Sequence, residues 1–170
     1  MGILVGPDTR KILIGGTGAG EGNVISGNSR DGIRVARRLD TNETPDNISI
    51  FGNVIGLNAA MTAPIPNALS GVTLLQVDED VRLGGLNAGE ANVIAGNTEH
   101  GVRVKGGVPT DITTFSTIRG NSIYGNGMRG IGLEEGGNGD IEKPVILGVS
   151  PLNGTAPADS IVDVYADTAD

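Results

Sequence analysis

Apolar and polar residues alternate along this chain in short runs, and the runs return in a fixed order. The first kind is Gly-apolar-x-apolar: Gly2-Ile3-Leu4-Val5, Gly32-Ile33-Arg34-Val35, Gly71-Val72-Thr73-Leu74, Gly101-Val102-Arg103-Val104 and Gly130-Ile131-Gly132-Leu133, at spacings of 30, 39, 30 and 29 residues. The second kind follows it as Ile12-Leu13-Ile14, Ile48-Ser49-Ile50, Val81-Arg82-Leu83 and Ser116-Thr117-Ile118. The third opens on asparagine: Asn23-Val24-Ile25-Ser26-Gly27-Asn28, Asn53-Val54-Ile55-Gly56-Leu57-Asn58, Asn92-Val93-Ile94-Ala95-Gly96-Asn97 and Asn121-Ser122-Ile123-Tyr124-Gly125-Asn126. Each unit therefore predicts three strands separated by turns, with alternate side chains on opposite faces. Ile33 and Val35, Val72 and Leu74, and Val102 and Val104 share one face; Arg34, Thr73 and Arg103 share the other.

A longer repeat lies above these units. Residues 11–35 match 80–104 at a shift of 69, with thirteen of twenty-five positions identical. Self-similarity of this kind marks a stacked repeat. Neither the leucine-rich consensus nor the calcium-binding glycine nonapeptide is present, and a hexapeptide left-handed helix needs a stricter short period. The expected fold is all-β: a right-handed parallel β-helix of four to five coils over residues 1–147. Like residues then stack at about 4.8 Å, so that the interior becomes columns of Ile, Val and Leu. The opening asparagines Asn23, Asn53, Asn92 and Asn121 should stack as one structural ladder, and Asn28, Asn58, Asn97 and Asn126 as a second.

Residues 36–46 and 57–70 depart furthest from the pattern and read as loops projecting from one side, where solenoids often bind partners. Lys143-Pro144-Val145-Ile146-Leu147 is expected to complete the last coil. Residues 148–170 read as a C-terminal β segment, a hairpin or the start of an Ig-like sandwich. Repeat at one end and an unfinished segment at the other suggest a piece of a longer protein, whose export signal would lie outside these residues.

Composition narrows the picture. The 170 residues hold two Phe, two Tyr and no Trp, as aliphatic columns require, and 29 glycines without the Gly-X-Y period of collagen. A net charge of −8 opposes nucleic acid and anionic membranes. The absence of cysteine removes disulfides, thiolate metal sites and thiol nucleophiles.

Carboxylates acting as acid, base or calcium ligands would have to project outward from the strands or turns. The central outward residues are Leu4, Arg34, Thr73, Arg103 and Gly132 on one sheet, Leu13, Ser49, Arg82 and Thr117 on the second, and Val24, Val54, Val93 and Ser122 on the third. None is acidic, which argues against catalysis on a strand face. Arg34 and Arg103 are the candidate ligand-binding residues. Asp78 and Asp80, near turn residues Asp46 and Asp111, are the candidate metal ligands, with the oxygen donors calcium takes; no other cofactor is implied. Gly15-Gly16-Thr17-Gly18-Ala19-Gly20-Glu21-Gly22 lacks the phosphate-loop lysine and reads as a turn. The column Val24, Val54 and Val93 forms an apolar strip expected to lie under an inserted loop.

The run Ile-Gly-Gly, Gly-Asn-Val-Ile-Ser-Gly-Asn, Gly-Ile-Arg-Val resembles the parallel β-helix repeat (pectin-lyase-like) family of secreted or surface-anchored bacterial proteins over about residues 2–147. The resemblance implies an extracellular or cell-surface setting with polysaccharide or neighbouring protein domains as partners, and a family that mixes polysaccharide-active enzymes with adhesive members. His100-Gly101-Val102-Arg103-Val104-Lys105 also resembles the Arg-Ile-Lys element of polygalacturonases, yet that family's Asn-x-Asp and Asp-Asp motifs are missing. The expected function is a noncatalytic extracellular module, a scaffold or a surface binding glycan or partner. The alternative is a lyase or hydrolase of acidic polysaccharide using loop carboxylates such as Asp40, Glu43 and Asp46. A third reading is an assembly module that stacks through its open coil ends.

Overall fold

The computed structural model describes residues 1–37, 43–77, 80–107, 116–140, 142, 145–149 and 151–156. The Gly-apolar-x-apolar runs become β1 (Ile3–Val5), β4 (Ile33–Ala36), β7 (Val72–Leu75), β10 (Val102–Lys105) and β13 (Ile131–Glu134), which pair in parallel as a five-stranded sheet A. β2 (Arg10–Gly15), β5 (Asp46–Phe51), β8 (Val81–Leu83) and β11 (Ser116–Ile118) form the four-stranded sheet B. β3 (Val24–Ile25), β6 (Val54–Ile55), β9 (Val93–Ala95) and β12 (Ser122–Tyr124) form the four-stranded sheet C. The chain visits A, B and C in turn, making a right-handed β-solenoid of about four turns, coils 1 to 4, with β13 opening a fifth.

The register follows the alternation. Ile3, Ile33, Val72, Val102 and Ile131 stack in sheet A, and the outward column runs Leu4, Arg34, Thr73, Arg103, Gly132. In sheet B the outward column is Leu13, Ser49, Arg82, Thr117, and in sheet C it is Val24, Val54, Val93, Ser122. Branched aliphatics from the three sheets meet along the axis: Ile33, Ile48, Ile55, Val72, Leu74, Leu83, Ile94 and Val102 are fully buried. At the fifth-coil end the column opens, and Ile131 is 42% exposed.

Two asparagine ladders seal the turns on either side of sheet C. In the first, Asn23, Asn53 and Asn92 each donate both backbone N–H and side-chain Nδ2 to Oδ1 of the next rung, at 2.9–3.1 Å, ending on Asn121. The remaining Nδ2 hydrogen turns to main-chain carbonyls, as from Asn92 to Ile50 at 2.8 Å. The second ladder corrects the expectation for Asn58. Its rungs are Asn28, Asn67, Asn97 and Asn126. Asn58 instead closes an exposed turn, accepting from the N–H groups of Thr62 and Ala63. The reason is an insertion in coil 2 after Leu57, so the rung falls nine positions later than a count from Asn53 places it. Counted back from the glycine of the next unit, every rung fits: Asn28, Asn67, Asn97 and Asn126 each stand four residues before Gly32, Gly71, Gly101 and Gly130.

That glycine is demanded by space. A Cβ on Gly71 would lie 2.8 Å from Asn97 Nδ2, 2.8 Å from the Gly101 carbonyl and 2.7 Å from Ile94 Cγ2. Gly2, Gly32 and Gly101 meet the equivalent three groups. Motif glycine and second ladder therefore require one another.

Val145–Leu147 do not complete a coil. They belong to β14 (Val145–Val149), which pairs antiparallel with β15 (Leu152–Thr155) in a separate hairpin. Residues 157–170, expected to open a sandwich, lie outside the described residues. The loop at 57–66 does not seal the Val24 strip either. Ile65 exchanges main-chain bonds with Gly27 and Gly56 at the sheet C corner, while Val24 stays 51% exposed.

Candidate functional site

Sheet A carries a band of polar side chains on its outer face. Arg34 and Arg103 stand on it two levels apart, about 10 Å, with Thr73 between them. Thr73 points outward as its position in β7 requires, yet it is buried, because Asp31 reaches across from the level before and accepts its hydroxyl hydrogen at 2.7 Å. Asp31 is itself 1% exposed, and its other oxygen lies 3.4 Å from Arg34 Nε as an ion pair within one turn of chain.

The same crossing of levels recurs one repeat later. Gly132 leaves room on β13 for the His100 ring, whose Cε1 and Nδ1 lie 2.7 Å from where a Cβ would stand. Nδ1 accepts from the Arg129 backbone N–H at 3.2 Å, which fixes the proton on Nε2, and Nε2 faces Glu134 Oε1 at 3.4 Å. Arg103 holds the other carboxylate oxygen, with Nε at 3.0 Å and Nη2 at 2.6 Å. Lys105 pairs with Glu135 at 2.8 Å at the edge of the cluster. Burial pushes the Glu134 carboxyl up, but the Arg103 hydrogen bonds and charge, with His100 and Lys105, outweigh it and hold the group below the ordinary glutamate value.

Around Glu134 this cluster is closed, since the carboxylate is kept ionised and Arg103 and His100 are committed to it. The Arg34–Asp31 contact is looser, an ion pair at 3.4 Å in which, among the described residues, Arg34 Nε and Asp31 Oδ2 are buried without a hydrogen bond. Asp31 and Glu134 escape a reading of strand centres, since one precedes β4 and the other ends β13. Their signal is local: Asp31 stands three residues before Arg34, and Glu134 aligns with Lys105 across the sheet.

The remaining candidates lie elsewhere. Asp40, Asp78 and Asp111 fall outside the described residues. Asp80 is exposed just before β8, Glu43 is exposed, and Asp46 stands opposite Arg10 in sheet B. Among the described residues no three carboxylate or imidazole groups gather as metal donors. Among them, too, no helix is long and apolar enough to cross a membrane.

The glycine-rich stretch folds as the turn its sequence suggests. Gly18 N–H donates to Glu21 Oε2 at 2.8 Å while Glu21 N–H returns to the Gly18 carbonyl. Its repeat mate does the same with Asn87 and Glu90, and Glu90 also faces Arg82 at 3.6 Å. Hydrogen bonds from the Asn87 side chain and backbone, then burial working against them, then the Arg82 charge, leave Glu90 below the ordinary glutamate value. No family model, curated protein or solved structure matches this chain.

Proposed function

We propose that this chain is a noncatalytic β-solenoid module of an extracellular or cell-surface protein of the pectin-lyase-like kind, acting as a rigid scaffold whose outer faces bind glycan or partner domains. One observation carries the reading: on the face where outward carboxylates and guanidinium groups come closest, each is matched to its own partner, Asp31 to Arg34 and Thr73, and Glu134 to Arg103 and His100. A carboxylate held ionised by an arginine is a poor proton donor, and an arginine already paired contributes little toward neutralising a uronate. The contacts of Asp31 with Thr73 and of Glu134 with Arg103 and His100 fasten successive coils, which suits a scaffold.

The test is incubation with polygalacturonate and alginate, following both unsaturated products and new reducing ends. Neither should accumulate above the blank. Product formation abolished by Glu134→Gln or Arg103→Ala would overturn the reading and favour the enzyme. The calcium expectation at Asp78 and Asp80 is read in the same preparation, as a melting temperature raised by calcium and restored by chelator.

A further inference from the structure

A second surface stands apart from the charged band. On the outer face of sheet B, β2 and β5 floor an open groove of about 470 Å³ lined by Lys11, Ile12, Leu13, Thr17, Glu21, Asn47, Ser49 and Phe51. Its floor is apolar, with Leu13 58% exposed and Phe51 at the inner end, where Arg82 of the next coil covers the ring at 5.1 Å. One bank is the turn holding Thr17 and Glu21. The other is Lys11 and Asn47, which occupy the same position in successive coils.

Both residues of that second bank have left-handed backbone, φ 55° at Lys11 and 53° at Asn47, although their neighbours Arg10 and Ile12 keep ordinary register with Asp46 and Ile48. For a lysine this conformation is strained, because its Cβ crowds the following carbonyl oxygen. Its repetition at two levels brings an ammonium and an amide to the rim of the same groove.

From this lining we infer that the groove binds a short stretch of neutral oligosaccharide, an inference that rests on the binding-module reading and names its site and ligand class. Lys11 and Glu21 bring one charge of each sign to the lining, and Arg82 over Phe51 already faces Glu90, so no net charge selects for a uronate or a basic peptide. The apolar floor suits the C–H faces of sugar rings. Asn47, Ser49, Thr17, Lys11 and Glu21 supply donors and acceptors for hydroxyl groups around it. The floor presents side chains; the open backbone edge of β2 lies beside it at the end of sheet B, where an extended peptide would add in the plane of the sheet rather than across Leu13.

The backbone itself provides a clean test. Glycine adopts positive φ freely, so Lys11→Gly and Asn47→Gly remove both side chains at positions that accept the substitution without strain. Cellotriose, maltotriose, mannotriose and trigalacturonate would be titrated by isotope-edited NMR into the wild type, the double glycine variant and Arg34→Ala/Arg103→Ala. A neutral trisaccharide should bind with shifts confined to residues 11–21 and 47–51. The double glycine variant should bind it at least about tenfold more weakly with an undiminished melting temperature. The arginine variant should bind it as the wild type does. Neutral-sugar binding that survives the double glycine variant, stronger binding of trigalacturonate, or no binding of any neutral trisaccharide would each overturn the inference. Shifts on the face of Arg34 and Arg103 would overturn the groove and leave the module reading standing, whereas cleavage of trigalacturonate would overturn that reading instead.

Discussion

Single side chains in this protein are judged by whether they touch the level above and the level below. Asn67 illustrates the consequence: it is fully buried, takes the Asn28 donors and gives its own to Asn97 and the Ile25 carbonyl. Asn67→Ala strands polar groups on both sides and should cost about 2–4 kcal/mol, read from the urea midpoint. Asn58→Ala loosens only an exposed turn and should cost under about 1 kcal/mol. The motif glycines divide in the same way. Gly71→Ala forces a Cβ into three groups already in contact and should cost about 1–3 kcal/mol. At Gly130, where the nearest atom is Ile123 Cγ2 at 3.5 Å, alanine should be neutral or slightly stabilising in thermal melts. An equal effect at both positions would mean that conformation, rather than space, selects glycine. Asn67 was legible in the sequence once counted from its glycine. The partners of Arg34 and Arg103 were not, because alternation says which face a residue takes and is silent on which side chains lean across levels.

The turns between sheets B and C come in two lengths, and the longer ones depend on a carboxylate. Glu90 braces its turn through Asn87 and Arg82, and its carboxyl titrates below the ordinary value when folded. A lowered folded value means that the bracing contributes stability above the unfolded-state value, near 4.3, and loses it as pH falls through the folded one. Glu134 has the same sign. Melting temperature should therefore fall more steeply in wild type than in Glu90→Gln between about pH 5 and 3, with the two curves converging at the acid end. Strand order, register and outward columns were all legible from period-2 alternation. The sheet B groove was not, because its banks are a turn from one side and two left-handed residues from the other, neither of which hydropathy encodes. The antiparallel pairing of Val145–Leu147 was missed for a related reason: an apolar run carries no mark of whether its partner lies one coil back or a few residues ahead.

Across the sheets of the solenoid, strands pair only between neighbouring coils, so stability is close to a sum over levels and falls toward open ends. Core residues of β7, β8 and β9 are fully buried, those of β1 to β3 are slightly open, and Ile131 of β13 faces solvent. Native-state hydrogen exchange should release β13 and the β14–β15 hairpin first, then β1–β3, and β7–β9 last. Exchange at one common rate would mean that the coils unfold as a single unit.

The longer turns occupy coils 1 and 3, and they touch across coil 2: a Cβ on Gly89 would stand 2.8 Å from Thr17 Cα. Gly52, in the short turn of coil 2, fits between them, close to the carbonyls of both Gly16 and Gly89. Inserting a single coil between coils 1 and 3 would break that bridging, setting two bulky corners side by side or pulling them out of reach. Growth by two levels at a time preserves it, and the 69-residue period in the sequence is the length of such a pair.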